Sequence, residues 1–77
     1  MWALWVIRSY TYKNFFIAVQ VSPDGASGHY NVVGQVRASE TDQVVAMSFI
    51  ICQPFQSVDS AYVAGRENAE TWVDRQL

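Results

Sequence analysis

Phe15-Phe16-Ile17-Ala18-Val19-Gln20-Val21 reads with a period of two. Successive side chains of an extended strand point to opposite sides, so Phe15, Ile17, Val19 and Val21 share one face and Phe16, Ala18 and Gln20 the other. Downstream, Ser22-Pro23-Asp24-Gly25-Ala26-Ser27-Gly28 is a loop by its turn chemistry. Pro fixes φ, Asp hydrogen-bonds its own backbone, and the two glycines accept positive φ. That loop predicts the tip of a hairpin. The returning strand, His29 to Ala38, sets Tyr30, Val32, Gly34, Val36 and Ala38 against a wetter face of His29, Asn31, Val33, Gln35 and Arg37. Upstream, Trp2 to Tyr12 also alternates. Lys13-Asn14 turns it into the next strand, because Asn tolerates the left-handed conformation of a tight hairpin.

Ser39-Glu40-Thr41-Asp42 is a second polar break, and Gln53-Pro54 ends a third apolar run, since Pro cannot donate to a sheet ladder. Between them, Gln43 to Cys52 is apolar on both faces: Val44, Ala46, Ile50 and Cys52 against Val45, Met47, Phe49 and Ile51. Such a strand is expected to be the most covered of the set, central or at an interface. After Pro54 the period lengthens. Val58, Tyr62, Gly65, Ala69, Trp72, Val73 and Gln76 recur at three- and four-residue steps, while Arg66, Glu67, Glu70 and Asp74 gather opposite. This predicts an amphipathic helix over 57–76, capped by Ser57, with Asp59 in the first turn where negative charge suits the dipole. Tyr62, Gly65, Ala69, Trp72 and Val73 are the expected helix-sheet packing residues. Gly65 in mid-helix lowers helix propensity by about 1 kcal/mol relative to Ala. Its place on the apolar face predicts a close approach to the sheet, under a large ring such as Tyr30 or Phe49.

The chain therefore reads as a single α+β domain over 1–77: an antiparallel meander of three or four strands with one C-terminal helix on one face. Residues 1–12 form an apolar N-terminal strand or arm, and 15–52 carry the remaining strands. The 77 residues leave no room for a second core. Apolar residues make up 51% and charged ones 16%, which excludes disorder. The net charge of -2, with no run of one sign, disfavours a polyanion-binding arm. The opening Met1-Trp2-Ala3-Leu4-Trp5-Val6-Ile7 lacks the basic flank of a secretion signal and the roughly 20 apolar residues of a membrane span. A cytoplasmic protein is expected.

The string Tyr12-Lys13-Asn14-Phe15 opening an alternating strand, then Pro54-Phe55 and a helix ending in Trp72-Val73-Asp74, resembles small bacterial proteins of β-β-β-α build. The resemblance covers the chain from Tyr12 onward. It implies the fold and transfers no site, since that group carries no assigned activity. The layout is also similar, in architecture alone, to the sheet-and-helix unit of HicB-type antitoxins and of double-stranded RNA-binding domains.

No catalytic set emerges. Cys52 lacks an adjacent base and reads as a buried structural cysteine. His29 with Asp24 gives too few ligands for a structural zinc, and reads as a solvated loop histidine. Glu67, Glu70 and Asp74 form a helix row that reads as a solvated face, within which Arg66 and Glu70 can pair. Lys13, Arg37, Arg66, Arg75 and Arg8 are too few to neutralise a nucleic-acid backbone, although Tyr10, Tyr12 or Phe16 on a sheet face would suit base stacking.

The sharper feature is apolar surplus. Three Trp, four Tyr and four Phe exceed what one sheet and one helix cover. A single cysteine allows no internal disulfide, so self-association is the remaining staple. Trp2, Leu4, Trp5, Val6, Phe16, Val45 and Met47 are the expected interface residues, on the face away from the helix. The expectation is a non-catalytic interaction or structural module, homodimeric or bound to another protein, without cofactor or metal and off the membrane. Two alternatives stand beside it: an antitoxin-like or RNA-contacting module, and a small-ligand binder with a pocket near Gly65 and Trp72.

Overall fold

Lys13 and Asn14 both take positive φ, 49° and 70°. That is the geometry of a type I′ turn, one of the two-residue hairpin turns whose twist matches the flanking strands. They join β1 (Val6–Tyr12) to β2 (Phe15–Pro23) in antiparallel register, Tyr12 facing Phe15 and Val6 facing Val21. The loop after Pro23 returns through Gly28, at φ 76°, into β3 (Tyr30–Arg37), and the polar break after it leads to β4 (Val45–Gln53). A computed structural model describes residues 6–24, 28–41 and 43–77. It shows a four-stranded antiparallel meander in the order β1-β2-β3-β4, with the helix α1 (Val58–Gln76) on one side. The fold is α+β.

Register fixes the two faces. Opposite partners share a side, so Val6, Arg8, Tyr10 and Tyr12 of β1 join Phe15, Ile17, Val19 and Val21 of β2. Tyr30, Val32, Gly34 and Val36 of β3 and Met47, Phe49 and Ile51 of β4 complete the helix side. The helix lies over β2 and β3. Ser57 caps it, its Oγ accepting from the Ser60 amide at 3.1 Å, with Asp59 in the first turn. Its buried stripe, Ala61, Gly65, Ala69 and Val73, repeats every four residues and meets Ile17, Val19, Val21, Val32 and Val36, all fully buried.

Small residues along that stripe bring the helix backbone close to the sheet. A Cβ on Gly65 would sit 2.6 Å from Val32 Cγ1 and 2.9 Å from Val19 Cγ1. The close approach is as expected; the partner is not. Two valines, one on each central strand, occupy the place assigned to Tyr30 or Phe49. The ring of Phe49 lies instead over Gly34 of the neighbouring strand, where any side chain would collide with it. Ala61 belongs to the buried stripe and was missed, because its small apolar side chain stands out little in a hydropathy pattern. Gln76 is exposed, and Tyr62 and Trp72 are half-buried at the rim, Trp72 meeting Phe15 edge to face at 6.0 Å.

The largest departure is β4. It is an outer strand, exposed at most positions, where the sequence pattern predicted the most covered one. Val6 and Met47 also move: both are half-buried on the helix side against the core, rather than on the open face. Met47 and Val45 part company at a β-bulge, where Met47 faces Val36 and Val45 already faces Arg37. One extra residue sends the side chains before it to the other face. Trp2, Leu4 and Trp5 lie outside the described residues.

The valines beside Gly65 are stiff at χ1 and fully buried, so they have little room to retreat. Gly65→Ala is therefore expected to lower Tm by several degrees, although Ala favours a helix by about 1 kcal/mol over Gly. Gly65→Leu should lower it by more than about 10 °C, at about 4–8 °C per kcal/mol for a domain of this size. Thermal melts followed by circular dichroism check both. A Tm raised by Ala would overturn the close-packing account.

Candidate functional site

Two edges flank the sheet, and the sequence equips them differently. On the β1 edge, the helix margin is tied down by polar groups. Tyr10 Oη donates to Glu70 Oε2 at 2.7 Å, while Tyr12 Oη at 3.0 Å and Lys13 Nζ at 2.9 Å both reach Asp74 Oδ1. Arg8 stacks its guanidinium 4.7 Å over the Tyr62 ring. Glu70 and Asp74 are thus sheet ligands rather than members of a solvated row, and the Glu70 carboxylate turns to Tyr10 instead of the anticipated Arg66 partner. Burial, followed by the hydrogen bond to Glu70, pushes the Tyr10 phenol far above its ordinary value. The Lys13 and Tyr12 hydrogen bonds hold the Asp74 carboxyl below the usual range. These shifts describe a clasp between hairpin and helix.

The β4 edge lies beyond the reach of the helix, which stands over β2 and β3, and its polar contact is the one between Cys52 and Asp24. From Gln43 to Gln53 the sequence carries no charge and no proline. Met47, Phe49 and Ile51 point to the helix side but stay half-buried, because the helix stands over β2 and β3. On the other side Ile50 is 75% exposed and Val45 is also exposed, and Val44, just before the strand, is exposed as well. The candidate site is this two-sided apolar margin.

The open face between the edges is mixed. Register lines up Ile7, Gln20, Val33 and Ile50 across it as one row. Phe16 sits there as expected, but under the Arg37 guanidinium, 4.9 Å from its ring centroid. A hollow of about 140 Å³, lined by Ile7, Ala18, Gln20, Val33 and Gln35, opens on this face. That is small against the roughly 300–1,000 Å³ of a ligand pocket. At Gly65, where a ligand pocket was anticipated, helix and sheet are in direct contact. Tyr10 and Tyr12 bond to the helix and Phe16 faces the other way, so the three do not form a stacking platform.

Cys52 is exposed, not buried. Its Sγ lies 3.8 Å from Asp24 Oδ2, and Asp24 Oδ1 also accepts from Asn31 Nδ2 at 3.4 Å. Desolvation by its neighbours and the Asp24 charge push the thiol up, which opposes thiolate formation. His29 meets Asp24 through the backbone, its carbonyl accepting from the Asp24 amide at 2.9 Å. Among the described residues no three His, Cys, Asp or Glu side chains gather as metal ligands, and no helix is long and apolar enough to cross a membrane.

Comparison with protein-family models, with curated proteins and with solved structures gives no match. The site therefore rests on its own geometry.

A phenol whose pKa is raised on folding contributes stability that is complete below its unfolded value and fades as pH climbs past it. Melts of the wild type should show Tm falling above pH 10.0, the ordinary tyrosine value. Tyr10→Phe should lower Tm at neutral pH through loss of about 1 kcal/mol of hydrogen bonding, and should flatten the alkaline fall. An alkaline slope identical in both proteins would remove the Tyr10-Glu70 bond as a stabilising contact.

Proposed function

We propose that this chain is a small non-catalytic interaction module that works as a homodimer, with the β4 margin as its contact surface. One observation carries the reading. A strand whose composition is apolar on both faces occupies an edge position, where its own fold leaves it exposed. Long, uncharged, apolar edges invite pairing with another chain, and proteins that remain monomeric commonly blunt them with lysine, proline or a covering loop. The β1 edge carries Arg8 and is braced through Tyr10, Tyr12 and Lys13; β4 has none of these. Small domains with limited burial gain stability when a partner covers such surface.

Sedimentation at tens of micromolar is expected to give twice the 8.7 kDa chain mass. Ile50→Lys places a charge on an already exposed position, so the far-ultraviolet spectrum should be kept while the dimer dissociates. A wild type that sediments as a clean monomer would end the proposal.

A further inference from the structure

We propose that two copies join edge to edge, β4 against β4 in antiparallel sense, with the two-fold axis passing at Ile50, to make one continuous eight-stranded sheet. This rests on the self-association reading above and specifies its geometry.

The argument begins with the usable length of the edge. At its start, the bulge between Val45 and Met47 breaks the regular ladder, and at its end Pro54 stops it. Between these limits, Met47 to Gln53 pairs without interruption with Val36 to Tyr30 on the inner side. An antiparallel self-pairing uses the whole of that segment only when the axis falls at its midpoint. The midpoint is Ile50.

Each pairing that this register makes is chemically compatible. On the open face Ile50, the most exposed large apolar side chain among the described residues, meets its own copy. Ser48 stands opposite Cys52 of the second copy. On the helix side Phe49 stands opposite Ile51, and Met47 opposite Gln53. Phe49, Ile51 and Met47 are the side chains left half-buried by the position of the helix, and the pairing supplies them with neighbours. A two-fold axis sets a strand against itself, so any charge near the midpoint would face a like charge. The Gln43 to Gln53 run has none, whereas the same operation on β1 would bring Arg8 close to its copy.

Seven residues a side fall well below the roughly 20–30 a side of a standard stable interface, which makes this a weak contact. A micromolar dissociation constant is therefore expected.

Cysteine cross-linking of the full chain reads the register. Directly opposed residues on antiparallel strands lie within disulfide reach, at Cβ separations of about 4.5 Å, whereas positions four residues out of register are about 13 Å apart. Under mild oxidation, I50C in a C52S background should form a covalent dimer to near completion. S48C with Cys52 retained should also cross-link, and S48C in the C52S background should not. These positions are exposed, so folding is undisturbed. A wild type that sediments as a dimer while I50C/C52S fails to cross-link would overturn the edge geometry and leave self-association standing, as stacking through the open face would produce. A monomeric wild type would remove both, including the case where β4 receives a strand from a different protein.

Discussion

Gly65 against Val19 and Val32 is the contact on which the other features rest. Three small residues and a valine, spaced by four, line the buried side of the helix, and the smallest of them meets one valine on each central strand. Without a Cβ at that point, the helix backbone settles over the seam between β2 and β3. Strands lie about 4.8 Å apart, so four of them span some 14 Å between outer axes, wider than a helix lined with small residues covers. A close central seat thus leaves both outer strands at the margin. The same contact that closes the core determines what stays uncovered.

The two margins answer that situation in opposite ways. Tyr10 and Tyr12 of β1 are long enough to reach beyond the apolar stripe, and they end in hydroxyls that find Glu70 and Asp74 on the flank of the helix. Lys13 adds the ion pair with Asp74, its partners both about half exposed, so its contribution is small by itself. Together they hold the hairpin to the helix. At β4 the helix-side residues Met47, Phe49 and Ile51 are apolar, with no polar end to seek a partner, and the ring of Phe49 lies over Gly34. Surface left in this state is where association gains most from removing water.

The turns and strand faces of the core were legible because each depends on local chemistry. Lys13-Asn14, Gly28 and the Ser57 cap all have conformations or hydrogen bonds that the residues themselves select. Period two then assigned the faces of β2 and β3, and these hold in the structure. The candidate site was legible only in part. Composition marked Gln43 to Cys52 as a strand wanting cover on both sides, yet composition does not say whether the cover comes from the same chain. Period two puts Val45 and Met47 on one face, and the bulge that separates them adds a residue without a distinct sequence signal. Helical spacing puts Glu70 and Asp74 on a solvent-facing row and does not show that two tyrosines sixty residues away reach them. The usual habit of cysteine predicts burial at Cys52, whereas register sets it on the open face.

Sequence alone determined a meander of three or four strands, the helix limits and the close approach at position 65, since all of these follow from backbone preference and short-range periodicity. Tertiary structure decided which strand lies outermost, which face each β4 side chain takes and which carboxylates the hairpin captures. Those outcomes depend on where one helix comes to rest across four strands, a matter of distances between parts remote in the chain, and no local pattern encodes them.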